Sequence, residues 1–340
     1  MTVRNSRQGA KVPRLLICAL AGLTVALGVS AVRAQQAPPF GFDASAYGKF
    51  DLPIKESTGS SAAVVQLMNG AFEPLHELLP NDPLRRLSAP IGRLDILIQD
   101  ANGQSSGASC TASLLAGNYI MTNSHCVPAG PEQTVRAMSL MMNYITQGVA
   151  GDRYEVKTTP VEIDRDLDYA ILEVNGNPTQ KYGAVRIMPA GAEPGQSMLM
   201  FHHPLGRPKV MTRFRCFAYK DQVEGQLRHR CDTLPGSSGS LVFSTQQETV
   251  GLHFLGGLDA KDETTFNTAT RVDAILRVST VLRQVIASQG GDNPTAAAPR
   301  PASAPAEASR PVAAPQATTA TPAPAGALRP DEINDLLRGR

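Results

Sequence analysis

Between residues 90 and 288 the apolar positions fall into short runs broken by clusters of Gly, Asn, Asp, Ser and Pro. Runs at 91–98, 110–115, 119–122, 154–158, 169–174, 184–188, 197–201, 214–219, 241–243 and 250–255 each predict a strand. Asp100-Ala101-Asn102-Gly103 and Ala116-Gly117-Asn118 read as turns between them. Many short strands at near-regular spacing predict a sandwich or a pair of barrels. The segment 270–288 has a different period. Val278, Val281, Leu282 and Val285 stand at i, i+3, i+4 and i+7, which predicts an amphipathic helix packed onto the sheets.

Outside this region the pattern changes. Arg4, Arg7, Lys11 and Arg14 precede an apolar run from Leu15 to Val32, and Val32-Arg33-Ala34 offers a cut before Gln35. Residues 1–34 therefore read as a secretory signal peptide. Left uncleaved, the run would be a membrane anchor, and either way the rest of the chain is extracytoplasmic, periplasmic or secreted. Residues 35–89 are mixed, with helical spacing at Val64, Leu67, Met68, Phe72, Leu75 and Leu79. A propeptide, a wrapping extension and a stalk all fit them. Residues 289–329 are dominated by Ala, Pro and Thr and read as a disordered linker, because they cannot bury enough apolar surface to fold. Residues 330–340 begin with Pro and acids and end with Arg, as helix termini prefer. They read as a frayed tail or as a short helix that docks on an envelope partner.

Composition adds limits. The chain has 340 residues, 42% hydrophobic and 18% charged, with a formal charge of +2. It carries no dense Lys/Arg stripe interleaved with aromatics, so nucleic acid is not expected as a partner. Beyond Cys18 in the signal, four cysteines remain: Cys110, Cys126, Cys216 and Cys231. Four allow three pairings. Sequence proximity favours Cys110 with Cys126 and Cys216 with Cys231, in an oxidising compartment. A metal site is not expected: no Cys-x-x-Cys pair exists, and only His125 and His229 lie close to cysteines.

The candidate chemistry centres on Cys231-Asp232-Thr233-Leu234-Pro235-Gly236-Ser237-Ser238-Gly239-Ser240, a turn rich in Gly and Ser that leads into an apolar strand. Such a turn holds a hydroxyl outward while backbone N–H groups converge on one point, as acyl transfer requires. A serine nucleophile also needs a base and an orienting carboxylate. His125 closes an apolar strand beside Cys126, and Asp168 leads directly into the strand Tyr169-Ala170-Ile171-Leu172. Asp164 and Asp166 read as solvated loop acids, His202-His203 as a loop between strands, and His229 as a surface residue or as one that reaches the wall of the substrate pocket.

In the order His125, Asp168, Ser238, these residues resemble the chymotrypsin-like serine peptidases. Thr122-Asn123-Ser124-His125-Cys126, Asp168-Tyr169-Ala170-Ile171-Leu172 and Gly236-Ser237-Ser238-Gly239-Ser240 are similar to that family's three motifs. The resemblance covers about residues 90–288. It implies an all-β fold of two antiparallel six-stranded β-barrels with a C-terminal α-helix. It also implies Ser238 as nucleophile, His125 as base and then acid, Asp168 as orienter, and an oxyanion hole from the N–H groups of Gly236 and Ser238. Digestive-type members carry Asp where this chain has Ser237, so their activation by a released N-terminus is not expected. The glutamyl endopeptidase branch is a closer match. Thr233 and His253 stand where those enzymes bind a P1 carboxylate, whereas Asp232 stands where trypsin-type enzymes bind a basic P1.

The expected protein is an exported serine endopeptidase acting on proteins or peptides, without cofactor or metal, and possessing a Glu-preferring S1 pocket. A Deg-type quality-control peptidase would carry a PDZ domain where the low-complexity segment stands. The non-enzymatic alternative is a peptidase-fold binding module of the cell envelope, latent or inactive.

Overall fold

The computed structural model describes residues 40–53 and 72–289. The expected signal peptide, the segment from 290 to 329, the terminal helix or tail and residues 54–71 of the extension lie outside the described residues.

The alternating pattern builds two antiparallel sheets. The strands of the first half are β1 (Phe40–Asp43), β2 (Glu73–Pro74), β3 (Ile91–Asp100), β4 (Ser105–Leu115), β5 (Tyr119–Thr122), β6 (Gln133–Met142), β7 (Asp152–Val156), β8 (Glu162–Asp164) and β9 (Tyr169–Glu173). Those of the second half are β10 (Met198–His202), β11 (Val210–Thr212), β12 (Gln226–His229), β13 (Leu241–Ser244), β14 (Thr249–Leu255) and β15 (Asn267–Arg271). The first sheet runs β7-β6-β3-β4-β5-β9-β8 with β1 also on β4, and the second runs β12-β15-β14-β13-β10-β11-β2. The fold is all-β, as expected. The first sheet has eight strands and the second seven, and the N-terminal extension supplies one to each, β1 to the first and β2 to the second.

Strand period decides which core each side chain enters. On β5 and β9, Ile120 and Leu172 fill the first sheet's own core, while Met121 and Ile171 face a second core. That second core also takes Phe201, Leu241 and Phe243 from β10 and β13, so it is the layer that joins the two sheets. The C-terminal helical segment closes it with Val272, Ile275, Leu282 and Val285.

Several expected elements differ. Residues 184–188 and 214–219 form no ladder, although Val185, Ile187, Cys216 and Ala218 are buried. Burial there comes from single bridges and lone backbone bonds, such as Val185 N–H to Leu114 C=O. The long strand β6 escaped notice because its first half is half-exposed and its second half is buried on both faces, so it never alternates cleanly. The helix expected over 270–288 is two, α2 (Val272–Val278) and α3 (Thr280–Gln289), as Ser279 takes extended backbone between them. Ser279 Oγ accepts the Leu282 N–H, and Glu162 accepts from Thr280 and Val281, so the second helix is capped separately. Before the first long strand, α1 (Pro83–Ser88) starts where Asp82 caps Leu84 N–H and Pro83 opens the turn.

Candidate active site

His125 sits in a short 3₁₀ turn that follows β5, and Asp168 immediately precedes β9, the strand paired with β5. Antiparallel pairing therefore brings the imidazole and the carboxylate together. Asp168 is buried, and its φ of +51° lies in the left-handed region that Asp tolerates better than most residues. Its Oδ1 accepts from Ser124 Oγ at 2.7 Å and from the His125 N–H at 2.9 Å, and its Oδ2 lies 2.7 Å from His125 Nδ1. An acceptor-only carboxylate at Nδ1 places the ring proton there and leaves Nε2 as the basic lone pair. Nε2 is buried without a hydrogen-bond partner among the described residues. Arg165 clamps the 3₁₀ turn by donating to the carbonyls of Ser124 and Val127. Asp164, expected to be a solvated acid, accepts from the N–H groups of Asp166 and Leu167 and so shapes the turn that delivers Asp168.

Cys110 pairs with Cys126 and Cys216 with Cys231. One ring nitrogen of His125 and the sulfurs of Cys110 and Cys126 lie within 4.8 Å of one another. Sulfurs joined in a disulfide lack the thiolate charge that holds a metal, so this contact is packing of the imidazole on the bridge.

Thr111, beside Cys110, ties the histidine's sheet to the serine turn. Its N–H donates to Ser238 C=O at 2.8 Å and its Oγ1 donates to Gly236 C=O at 2.9 Å. Thr111 Oγ1 also accepts the His203 N–H at 3.1 Å, and Thr122 Oγ1 donates to Thr111 C=O at 2.8 Å. Cys110-Thr111 is therefore bonded to the His125 turn on one side and to the Ser238 turn on the other. Sequence reasoning missed Thr111; its only signal was its place beside a cysteine paired next to the histidine. Thr111→Val keeps the shape but strands Gly236 C=O and the His203 N–H. We expect it to cost about 1–3 kcal/mol of unfolding free energy, read as a lower denaturant midpoint at unchanged m-value.

The turn itself is held by Ser237 N–H to Leu234 C=O at 2.9 Å and by Ser240 N–H to Ser237 C=O at 3.1 Å. Gly239 N–H donates to His253 C=O at 2.9 Å, and a Cβ at this glycine, with φ of +86°, would fall 2.1 Å from Thr111 C=O. Pro235 C=O accepts Leu205 N–H at 2.7 Å. In a trans peptide the Gly236 N–H points opposite to that carbonyl. The N–H groups of Gly236 and Ser238 donate to no other group among the described residues.

Thr233 and His253 are both anchored near Cys231. Asn267 Nδ2 donates to Cys231 C=O at 2.7 Å and to Thr233 Oγ1 at 2.9 Å, and its Oδ1 accepts from Gly257 and Leu258 N–H. Asn267 was not singled out from sequence, where it reads only as the polar start of a strand. His229, expected at the surface, is fully buried, and so are His202 and His203. His229 Nδ1 accepts the Cys231 N–H at 3.3 Å and its Nε2 lies 3.2 Å from His253 Nδ1. Burial brings His229 down to about 3 and holds His253 well below the usual histidine range, with the neighbouring His229 adding to the effect. Asp232 is buried, with its carboxylate 3.6 Å from Arg215. It lines a cavity of about 570 Å³ with Arg215, Tyr219, Arg230 and Leu258, and that cavity touches neither the three motif residues nor Thr233 and His253.

Residues 110–252 match the family model described as a trypsin-like peptidase domain. The matched segment is similar to the trypsin-like peptidases. Serine protease 23 of Rattus norvegicus is 25% identical over 163 residues, which span 39% of this chain and 42% of that protein. Secreted RxLR effector protein 73 of Plasmopara viticola is 26% identical over 170 residues, spanning 44% of this chain and 41% of that protein. The chain thus spans less than half the length of these curated relatives. Among solved structures, the HtrA-type protease AlgW with tripeptide aligns at a TM-score of 0.44 and 14% identity, over 61% of this chain and 63% of that one. The matched segment begins at Cys110 and ends within β14, so it contains all three motifs.

Proposed function

We propose that the protein is an exported serine endopeptidase that cleaves proteins or peptides through Ser238, His125 and Asp168 and prefers Glu at P1. The observation that carries this reading is the His125 ring. Its Nδ1 is committed to Asp168, its Nε2 is unengaged, and Thr111 bonds the Ser238 turn to the sheet that carries it.

In this mechanism Nε2 of His125 takes the Ser238 proton as Oγ attacks the carbonyl carbon. The N–H groups of Gly236 and Ser238 receive the oxyanion, and His125 returns the proton to the leaving amine. Water then releases the acyl group by the same route. Removing one such donor costs about 10²–10³ in kcat in related chemistry. The two disulfides suit an oxidising compartment outside the cytoplasm. No described helix is long and apolar enough to cross a membrane.

The acid preference rests on tautomers. The Cys231 N–H at His229 Nδ1 places that ring's proton on Nε2, which donates to His253 Nδ1. His253 then carries its own proton on Nε2, as a neutral donor for a carboxylate. The Thr233 hydroxyl, which accepts from Asn267, keeps its own proton to donate. Asp232, already engaged with Arg215, is unsuited to a basic P1.

The test is hydrolysis of peptides that differ only at P1 (Glu, Asp, Arg, Leu, Ala) by the wild type and by Ser238→Ala. We expect cleavage after Glu by the wild type alone, with Thr233→Val lowering kcat/KM for Glu by about 10–100-fold, the worth of a hydrogen bond to a charged group. Cleavage after Arg or Leu would keep the peptidase and reject the acid pocket. Absence of wild-type cleavage would reject the peptidase.

A further inference from the structure

The turn that carries Ser238 rests on residues far upstream of the peptidase domain. Leu234, four residues before the nucleophile, packs against two apolar clusters at once. One is Phe40, Phe42, Ala46, Leu52 and Leu205; the other is Phe72 with Val210. Five of these seven side chains belong to the N-terminal extension.

Two relays lead from the extension to the turn. The first runs through Leu205, whose N–H holds the Pro235 carbonyl and thereby aims the Gly236 N–H. Leu205 has a φ of +53°, an uncommon conformation for leucine that needs outside support. Gly206 follows, and a Cβ there would fall 2.7 Å from Leu52 Cδ1 and 3.4 Å from Phe40 Cδ1. Gly206 C=O accepts from the buried Arg93 guanidinium at 2.7 Å, and the same group donates to Phe50 C=O at 2.5 Å and Lys49 C=O at 2.8 Å. The Arg93 charge is matched by Asp95, at 2.8 Å on both oxygens. Residues 49–52 and the 205–206 bend are thus bound to one cation.

The second relay runs through His202. The Phe72 ring meets the His202 ring edge-on at 5.3 Å. His202 Nδ1 lies 2.7 Å from Ser237 Oγ and its Nε2 2.8 Å from Thr212 Oγ1. Ser237 Oγ in turn accepts the Leu234 N–H at 3.2 Å. Phe72 leads into β2, which pairs with β11 beside Thr212.

A turn with glycines at 236 and 239 has many backbone alternatives of similar energy. Oxyanion donors must hold one of them, because misplacement by about 1 Å can cost as much as 10²-fold in rate. Accepting the peptidase reading, we propose that residues 40–53 and 72–74 are a positioning strap for the oxyanion turn. It acts through Leu205 on the Pro235 carbonyl and through His202 on the Ser237 hydroxyl. On this view the extension is required for turnover and is not removed before it.

The test uses Phe72→Ala and Leu52→Ala in the full mature chain. Two kinetic quantities are read: kcat and KM on one peptide, and inhibition by a peptide aldehyde, whose adduct oxygen needs both turn N–H groups. We expect kcat and aldehyde affinity to fall together by about 10–100-fold, with KM changed less than about threefold. Phe72→Leu should restore most of the loss. Values for kcat and aldehyde affinity within about twofold of wild type would overturn the proposal. A second readout needs no activity: amide hydrogen exchange of residues 234–239, measured in Ser238→Ala with and without Phe72→Ala. Faster exchange in this turn alone supports the strap, and unchanged protection rejects it. If the wild type cleaves no peptide, the peptidase reading fails and exchange alone decides the strap. If Phe72→Ala or Leu52→Ala does not fold, Phe72→Val or Leu52→Val takes its place in the same measurements.

Discussion

Replacing Asp168 with asparagine is expected to lower kcat for peptide hydrolysis by about 10⁴-fold while leaving the fold intact. The size follows from which oxygen does what. Oδ1 of Asp168 accepts two donors, Ser124 Oγ–H and the His125 N–H. Those donors would hold the asparagine carbonyl at the same place and turn its NH₂ toward His125 Nδ1. A donor at that position forces Nδ1 to accept, so the ring proton moves to Nε2. On the proposed mechanism the imidazole would then present a proton where Ser238 needs a base. Nitrogen NMR of the imidazole should show the proton moving from Nδ1 to Nε2. A variant that retains kcat within about tenfold would remove Asp168 from the orienting role.

The second large effect is acid sensitivity of the fold. Burial brings His202 and His229 to about 3, and His203 and His253 well below the usual range. His202 is enclosed by Ser237, Thr212 and Phe72, and His203 by the Arg207 carbonyl and the Tyr144 ring. A base whose folded pKa is depressed is neutral in the fold and protonates first in the unfolded chain. Its stabilisation is complete above the unfolded value near 6.5 and is lost as pH falls toward 3. Between pH 7 and pH 5 this amounts to about 2 kcal/mol for each of His202 and His229. Melting temperature should fall by about 10 °C over that interval, and His229→Gln should flatten the slope. Buried Lys209, brought to about 7, acts mainly above that pH, so its effect does not mask the loss. A melting temperature that is flat from pH 7 to pH 5 would show these rings to be hydrated in solution.

The candidate residues are legible as motifs because each motif is local. His125 follows β5, Asp168 directly precedes β9, and Ser238 lies in a glycine-rich turn just before β13, so each falls in a short motif beside an apolar strand. Close spacing paired the cysteines in sequence, and the structure pairs them the same way. The strands that alternate cleanly were readable as well. Strand β6 was missed because a strand buried on both faces in part of its length loses the period of two. The break at Ser279 was missed because apolar spacing continues across it, while the capping contact comes from Glu162 in another element.

The residues that support the site were not legible, since their partners are distant in the chain. Thr111 meets Gly236 across 125 positions, and nothing near Thr111 announces it. Asn267 reaches Cys231 and Thr233 from a strand start that looks ordinary. A lone histidine between arginines has no apolar pattern, so His229 reads as exposed in sequence, and the pairing of β12 with β15 buries it. The extension is the clearest case. Its helical spacing at Phe72 and Leu75 suggested a helix, yet Phe72 leads into a strand and packs on His202.

The sequence by itself determined the all-β class, the disulfide pairing and the order of the three motif residues, because strand period, cysteine spacing and short motifs are properties of neighbouring residues. Only the tertiary structure decided that the extension joins both sheets, that four histidines are buried, and which backbone groups hold the serine turn. Those outcomes depend on which strands lie side by side, and antiparallel pairing between strands far apart in the chain leaves no mark in any local window.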